Sequence, residues 1–375
     1  MTVRKRLKLK PKYIDILKKI GTVLVVFLVI FIIYRYQIHS IKKIGYSEKA
    51  ANRILFKFKK NYVLDKENYK SLNAAFESDD YNEKNLKYYV NINYHKGDKF
   101  IKNINTLLSK KYSVSDINMI MDHGSQDDVY EFSKKEKINY LEEYYSYDFA
   151  KLKYYDKYVK YSNEEGTDAY STIVYVNLGF DNDEYKNPFI VDKFSTDILV
   201  NKHFMLGKSF KVHNLVNIDK AYTNGEELKV NKIVYDEFKK MYSDMSKDNL
   251  LVYISDAYRS HYEQKKTYDY LKGLYGDNYV SNNIMRPYFS ENETGLCLSF
   301  QSVRGGAFVS TKEYRWLLDN AYKYGFILRY PSEFSAETLL KGNAWHFRYV
   351  GKEASKYMYE HKMSYEEYYV VFLDK

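Results

Sequence analysis

Two short segments near the C-terminus decide how this chain folds: Ser290–Ser299, which reads SENETGLCLS, and Asn343–Phe347, which reads NAWHF. They belong to four blocks that follow one another along the chain. The blocks are Ser255–Ser260 (SDAYRS) with Gln264 downstream, Arg286–Ser290 (RPYFS) leading into the first segment, Tyr324–Pro331 (YGFILRYP), and Trp345–Gly351 (WHFRYVG). Each block is common by itself, but all four in one order and spacing rarely arise by chance.

In that order and spacing the blocks resemble the VanY-type D-alanyl-D-alanine carboxypeptidases, zinc peptidases that remove the terminal D-alanine from peptidoglycan stem peptides. The resemblance covers residues 196–375 and is densest from Ile254 to Gly351. It implies an α+β domain, a mixed or antiparallel sheet with flanking helices. The mixture of strand and helix patterns without a regular β-α-β alternation favours the same class.

The positions that carry the family's chemistry are altered in this chain. In the family the first segment reads S-x-H-x-x-G-x-x-x-D and the second E-x-W-H, and the two His and the Asp bind zinc while the Glu acts as base. The matching residues here are Asn292, Ser299, Asn343 and His346. An amide and a hydroxyl replace two ligands, and Asn343 cannot accept a proton near neutral pH. The resemblance therefore predicts a degenerate zinc site, no bound cofactor and no hydrolysis by the family mechanism.

A relocated metal site is the alternative to a lost one. Cys297 lies two residues before Ser299, so on a strand both side chains face the same way. With His346, and with Glu291 or Glu293, the thiolate of Cys297 could form a new ligand set. Against this, the two glutamates only neighbour the family ligand position in sequence. A single cysteine with apolar neighbours is more often buried filler than a ligand.

The remaining parts of the peptide pocket match the family. Arg259 corresponds to the arginine that lies beside the scissile peptide, where a guanidinium pairs with a carbonyl or carboxylate. Gln264, Ser290 and Trp345 also match positions that line the cleft. We expect these four residues to contact a peptide. An ion pair that joins a strand to a helix is the structural alternative for Arg259, and core packing is the alternative for Trp345.

The net charge of +10 does not indicate nucleic-acid binding. Residues 1–43 contain eleven Lys or Arg and a single acid, which leaves 48 basic and 48 acidic residues in the other 332. The body of the chain is neutral, so no general attraction for phosphates is expected. Cys297 is the only cysteine, so no intramolecular disulfide can form.

The basic excess flanks a hydrophobic segment. Eight Lys or Arg precede the uncharged stretch from Ile20 to Tyr34. Fifteen residues are short for a spanning helix, but Lys19 and Arg35 can extend toward the interfaces. The pattern predicts a single-pass membrane anchor with the N-terminus in the cytoplasm and the C-terminal domain outside. A cleaved signal peptide is one alternative, although no small-x-small cleavage site follows. A buried helix of a soluble domain is the other, although it would have to bury an all-apolar circumference beside a cluster of lysines.

The pattern along the chain predicts five regions: a basic cytoplasmic tail (1–19), a transmembrane anchor (20–36), a helical region (37–125), a connecting α/β region (126–195) and the VanY-like domain (196–375). Ser47 and Ser113 are expected to cap helices in the helical region. Strands are predicted at Thr172–Gly179, Phe189–Val191, Ile198–Val200 and Leu250–Ser255. Helices are predicted within Glu226–Met245 and Ser260–Leu274.

Three functions are compatible with these features. The first is a membrane-anchored, wall-facing protein of this family that binds peptidoglycan stem peptides, or regulates a wall enzyme, without cutting. The second is an active zinc D,D- or L,D-carboxypeptidase with relocated ligands. The third is a structural scaffold for wall or membrane partners. The features that separate them are the side chains that lie within reach of His346.

Overall fold

The computed structural model describes residues 10–66 and 69–374. The basic residues Arg4, Lys5, Arg6 and Lys8 of the predicted tail lie outside this part of the chain. The described residues form two compact units, one reaching to Ser146 and including Lys151–Lys153, the other comprising Tyr147–Ala150 and the chain from Tyr154 onward. The fold class predicted from the sequence is confirmed: helices precede an α+β domain that carries the family's blocks.

The first unit is entirely helical in the described residues. Its helices are α1 (Pro11–Lys43), α2 (Glu48–Phe56), α3 (Lys60–Leu64), α4 (Tyr69–Glu77), α5 (Leu86–Tyr89), α6 (Phe100–Ser109), α7 (Val114–Asp122), α8 (Gln126–Ser133) and α9 (Glu142–Tyr145). Ser47 and Ser113 cap α2 and α7 as predicted, with their hydroxyls accepting from Ala50 N and Asp116 N. Such caps satisfy backbone N–H groups that a helix leaves unpaired.

Helix α1 is long and apolar enough to cross a membrane. Its 33 residues span about 50 Å at 1.5 Å per residue, more than the hydrocarbon thickness of about 30 Å. The side chains from Val23 to Ile33 are all 49–65% exposed, which no buried helix of a soluble protein shows. Only its last turns pack into the first unit, through the buried Ile38 and Ile41.

The helices of the first unit are joined at a recurring interval. The amide oxygen of Asn73 accepts from Ser47 N, that of Asn118 from Asn93 N, and the hydroxyl of Tyr112 from Ile138 N. These bonds join residues 26, 25 and 26 positions apart. The similar intervals indicate that successive helices are joined over similar lengths of chain, although the accepting side chain and the direction of the bond differ.

The second unit holds three small sheets. Its elements are α10 (Tyr155–Glu165), α11 (Ala169–Asn177), β1 (Phe189–Val191), β2 (Phe204–Leu206), β3 (Leu215–Asn217), β4 (Lys229–Asn231), α12 (Lys232–Lys247), β5 (Val252–Asp256), α13 (His261–Asn283), β6 (Cys297–Ser302), α14 (Lys312–Asn320), β7 (Phe326–Tyr330), α15 (Ser335–Thr338), β8 (Asn343–Tyr349), α16 (Lys352–His361) and α17 (Tyr365–Tyr368). The largest sheet is antiparallel, in the order β5-β6-β8-β7. A parallel pair (β1, β2) and an antiparallel pair (β3, β4) accompany it.

Several predicted elements are confirmed. Phe189–Val191 is β1, Leu250–Ser255 contains most of β5, and Ser260 caps α13 through a capping box with Glu263. Helix α13 extends beyond Leu274, although Gly276 interrupts it with φ of +79°. The helix predicted within Glu226–Met245 begins later, at Lys232, because strand β4 occupies the preceding residues.

Two predicted strands are wrong. Thr172–Gly179 lies in helix α11, which the side chain of Asp168 caps by accepting from Ser171 N at 3.0 Å. Its β-branched residues suggested a strand, but burial on several faces of the helix outweighs that weak preference. Ile198–Val200 is buried but forms no strand. The carbonyl of Ile198 accepts from Arg348 Nη2 at 3.0 Å and from the Tyr365 hydroxyl at 3.2 Å instead of entering a ladder.

Candidate functional site

Three strands bring the family positions together. Strand β6 pairs with β8 so that Ser299 lies opposite His346, and β5 pairs with β6 so that Asp256 lies opposite Ser299. A register shift between Ile254 and Asp256 places the latter out of the regular alternation. Such bulges redirect a side chain at the edge of a site. A short 3₁₀ turn, Glu291–Thr294, leads into β6 and carries Asn292.

His346 is buried and uncharged near neutral pH. Burial lowers its pKa to about 4, although Glu291 acts in the opposite direction. Its Nδ1 lies 3.4 Å from the Ser299 hydroxyl, and its Nε2 has no hydrogen-bond partner in the described part of the chain. The imidazole therefore has one weak polar contact and one free nitrogen, in a place that excludes the charged form.

Asn292 is used as a hydrogen-bond donor within the protein. Its amide nitrogen donates to Asp256 Oδ2 at 3.1 Å and to the carbonyl of Ala257 at 2.9 Å. An amide that donates in this way turns its hydrogens, not a lone pair, toward the end of strand β5. The position that the resemblance assigns to a metal ligand thus helps to hold a carboxylate in place.

That carboxylate is already bound to the predicted peptide-binding arginine. Arg259 Nε donates to Asp256 Oδ1 at 3.1 Å, its Nη2 contacts Oδ2, and its Nη1 donates to Gln264 Oε1 at 3.0 Å. Burial raises the pKa of Asp256, and the Arg259 guanidinium opposes that rise. Gln264 in turn donates to the carbonyl of Met285 at 2.8 Å. The structure joins Arg259 and Gln264, but it gives the guanidinium an internal partner.

His346, Ser299, Asn292, Asp256 and Arg259 form what we call the centre. The other predicted pocket residues lie around it. Asn343 Oδ1 accepts from the backbone N–H groups of Trp345 and His346, both at 3.1 Å, and so shapes the start of β8. Trp345 is 43% exposed, so core packing does not explain it. It lines a cavity of about 310 Å³ together with Asn343 and Tyr330. Ser290 is buried and caps the 3₁₀ turn by accepting from Asn292 N.

A buried ion network lies behind His346. Glu291 Oε1 accepts from Arg329 Nε at 2.7 Å and lies 3.3 Å from Arg348 Nη1. Arg329 also donates to both oxygens of Glu366, at 2.9 and 2.6 Å. The side chains of Glu291, Glu366 and both arginines are 0% exposed. The two carboxylates balance the charge of the two guanidinium groups. Burial opposes ionisation of Glu291, but the two arginines outweigh it and lower its pKa.

Glu291, Cys297 and His346 form a possible metal-binding group. Their ligand atoms all lie within 4.8 Å of one another. The thiol of Cys297 is 3.4 Å from Glu291 Oε2, and burial raises its pKa well above the ordinary value. Glu293, the other candidate, does not join them: its carboxylate accepts from Tyr288 N at 2.7 Å and contacts His261 Nδ1 at 3.3 Å.

This donor set does not fit a zinc ion. A cation at the centre of the group would stand beside the guanidinium groups of Arg329 and Arg348, which already neutralise Glu291. Binding would also require the buried thiol to ionise. In this state the group offers a neutral imidazole, a carboxylate already paired with arginines and a protonated thiol, whereas a catalytic zinc ion requires three available ligands.

Sequence reasoning missed four residues of this centre and of the ion network behind it. Asp256, Arg329 and Arg348 stand inside the blocks quoted above, but no role was assigned to them. Charged residues within apolar strand patterns such as FILRY and WHFRYV were the available signal, because a buried charge demands a partner. Glu366, which pairs with Arg329, had no local signal because its partner is 37 residues away.

The family model described as VanY, D-alanyl-D-alanine carboxypeptidase, matches residues 227–352, which hold every segment of the centre and of the ion network except α17. The bifunctional D-Ala-D-Ala dipeptidase and carboxypeptidase VanXYC of Enterococcus gallinarum is 30% identical over 132 residues, 33% of this chain and 68% of that protein. The chain belongs to the VanY family.

Two further proteins are similar to part of this chain. YodJ of Bacillus subtilis is 34% identical over 179 residues, 46% of this chain and 66% of that protein. A solved structure of the LD-carboxypeptidase LdcB is 30% identical, with a TM-score of 0.45, covering 50% of this chain and 91% of that one. The chain spans between 56% and 66% of YodJ and of two enterococcal D-alanyl-D-alanine carboxypeptidases.

Proposed function

We propose that this VanY-family protein is a membrane-attached, non-hydrolytic protein that binds peptidoglycan stem peptides or regulates a wall enzyme. One observation carries the proposal. At the positions where the family holds its metal ligands and its base, Asn292, Ser299 and Asn343 are neutral and form internal hydrogen bonds. The remaining ligand, His346, is buried and uncharged.

Peptide hydrolysis needs groups that this centre lacks. A metal-bound water must lose a proton to a base, and the ion must keep an open position for that water. Neither the Asn343 amide nor the Ser299 hydroxyl can take that proton near neutral pH. The ionised residues nearest to His346 are tied to arginines, as Glu291 is. The centre can hold a ligand by hydrogen bonds but has no group to activate water.

Recognition of a wall peptide rests on the family and on the preserved side chains. VanXYC is named for its action on D-Ala-D-Ala, and two other relatives are named D-alanyl-D-alanine carboxypeptidases. Arg259, Gln264 and Trp345 keep the residue types that the family places along its cleft, and Trp345 is exposed for stacking or packing. Because Asp256 already pairs with Arg259, a peptide carboxylate must compete with it or use the remaining N–H groups.

The test uses the full chain in detergent micelles. An N-acylated peptide that ends in D-Ala-D-Ala is titrated calorimetrically, and free D-alanine is measured in the same samples. We expect saturable binding, weaker binding of the matched L-Ala-L-Ala peptide, and no released alanine. Absence of binding at millimolar peptide argues against recognition, whereas release of D-alanine argues against the non-hydrolytic assignment.

An active enzyme with a relocated metal is the second candidate, because Glu291, Cys297 and His346 lie close enough together to share an ion if the thiol of Cys297 ionises. Metal analysis of the purified chain separates the two. Zinc bound at one equivalent and lost in Cys297→Ser would support the enzyme. Less than about a tenth of an equivalent, unchanged in that variant, would support the non-hydrolytic protein, since three donors bind zinc tightly.

The proposed topology places the second unit outside the cell. The basic residues before Ile20 favour a cytoplasmic N-terminus. Protease added to intact cells should then digest the second unit, and protease added to inside-out vesicles should spare it. The reverse result would place the second unit inside the cell. It would exclude binding of cell-wall peptides and leave a scaffold role for an intracellular partner.

A further inference from the structure

A second cavity, of about 450 Å³, lies outside the centre described above. It is lined by the segment from Leu206 to Val212 and by Tyr258, His261, Tyr288 and Glu293. None of the family's metal or base positions lines it. We call it the Glu293 cavity.

Glu293 supplies the one carboxylate that lines this cavity. The residue is only 5% exposed, so its charge is largely removed from water. One oxygen accepts from Tyr288 N at 2.7 Å and the other contacts His261 Nδ1 at 3.3 Å. No lysine or arginine forms an ion pair with it in the described part of the chain, and the nearby Arg259 guanidinium is turned to Asp256. Burial raises the pKa of Glu293 to about 7, and an ammonium group bound beside it would favour the charged carboxylate.

Aromatic rings flank this carboxylate. Tyr288 and His261 stack with ring centroids 3.6 Å apart, and Tyr258 also lines the cavity. Tyr288 adopts φ of +72°, a left-handed conformation that is strained for a bulky residue. Backbone strain of this kind is concentrated at functional sites, where the surrounding structure holds the residue in place. A carboxylate beside aromatic faces is the arrangement that proteins use to bind an ammonium group.

Two lysines add the opposite charge to the same cavity. Lys208 and Lys211 line it, both are exposed, and neither forms an ion pair in the described residues. Lysine ammonium groups that are free in this way can pair with a carboxylate or phosphate. The cavity therefore offers one buried carboxyl group and two exposed lysine ammonium groups within one small volume.

We propose that the Glu293 cavity binds a small zwitterionic ligand, with a primary ammonium group on Glu293 and an anionic group on Lys208 and Lys211. The site is separate from the wall-peptide pocket and does not depend on the function proposed for it. Its occupant would be an amino acid, or the part of a larger molecule that carries both charges.

The test separates the two charges with three probes of equal chain length: 6-aminohexanoate, hexanoate and 1-aminohexane. Each is titrated calorimetrically into the full chain in detergent at low salt, and empty micelles give the blank. We expect 6-aminohexanoate to bind at least about tenfold more tightly than either single-charge probe, which corresponds to about 1.4 kcal/mol.

Two variants assign each charge to its residues. Glu293→Gln keeps the acceptor oxygen and should reduce binding of 6-aminohexanoate to the level of hexanoate, whereas the exposed control Glu226→Gln should change nothing. The double variant Lys208→Ala/Lys211→Ala changes only exposed side chains and should reduce it to the level of 1-aminohexane. Equal affinity for the three probes, no binding of 6-aminohexanoate at about 10 mM, or unchanged binding in both variants would overturn the proposal.

Discussion

The side chain of His346 links the altered centre to the stability of the fold. Its pKa is about 4 in the folded chain, against about 6.5 for an ordinary histidine. The unfolded chain therefore binds the proton more readily as the pH falls. The stability tied to this residue is complete above pH 6.5 and is lost progressively as the pH approaches 4.

As the pH falls from 6.5 to 4, we expect the preference of the unfolded chain for protonated His346 to lower the free energy of unfolding by about 3 kcal/mol. Each pKa unit corresponds to about 1.4 kcal/mol. Urea unfolding of the wild type and of His346→Gln at both pH values measures the difference. His213→Gln, at an exposed histidine, is the control. Equal pH dependence in the wild type and His346→Gln would contradict a neutral buried imidazole.

Asp256 limits what Arg259 can bind. Replacing it by Asn removes the ion pair but keeps an acceptor for Asn292 and Arg259. We expect Asp256→Asn to raise affinity for an N-acylated D-Ala-D-Ala peptide about five- to tenfold, or about 1 kcal/mol. The matched peptide with a terminal amide should gain nothing.

Asp269→Asn, which removes an exposed ion pair with Lys265 elsewhere on α13, serves as the control for this experiment. A gain that is equal for both peptides would mean that Arg259 does not meet the ligand's carboxylate.

Among the elements, helix α11 shows how a cap and burial together outweigh intrinsic strand preference. The run of Thr, Ile, Val and Tyr residues in it favours a strand by composition. Asp168 begins the helix by accepting from Ser171 N, and Thr172, Ile173, Val174 and Val176 are then buried around it. An aspartate before the run was the signal available in the sequence.

We expect Asp168→Ala to lower the free energy of unfolding by about 1 kcal/mol, because an alanine cannot accept from the first turn. Chemical denaturation of the full chain measures it, and Glu226→Ala controls for the loss of an exposed acid. An effect as small as that of the control would mean that packing alone holds α11.

For the chain as a whole, the only cysteine reports on unfolding. Cys297 is 1% exposed on the central strand β6, and burial raises the pKa of its thiol. A thiol that is neither exposed nor ionised reacts slowly with maleimides. It can therefore react only when the second unit opens.

We expect no labelling of the native chain over hours and complete labelling within minutes in denaturant, followed by mass spectrometry. Addition of zinc should leave the labelling rate unchanged if Cys297 is not a ligand. Rapid labelling of the native chain would contradict the burial of β6, and protection by zinc would revive the relocated metal site.

The amino-acid sequence alone determined the family, the apolar N-terminal segment and the residue types at the positions that the resemblance assigns to zinc ligands, since each depends on which residues stand at which spacing. Only the tertiary structure decided that Arg259 pairs with Asp256 and that Glu291 lies between Arg329 and Arg348. These side chains are directed toward one another by the register of β6 with β8, by the bulge in β5 and by Glu366 on α17. Glu291, Arg329 and Arg348 are far apart in the chain and meet only through such packing, which no local pattern encodes.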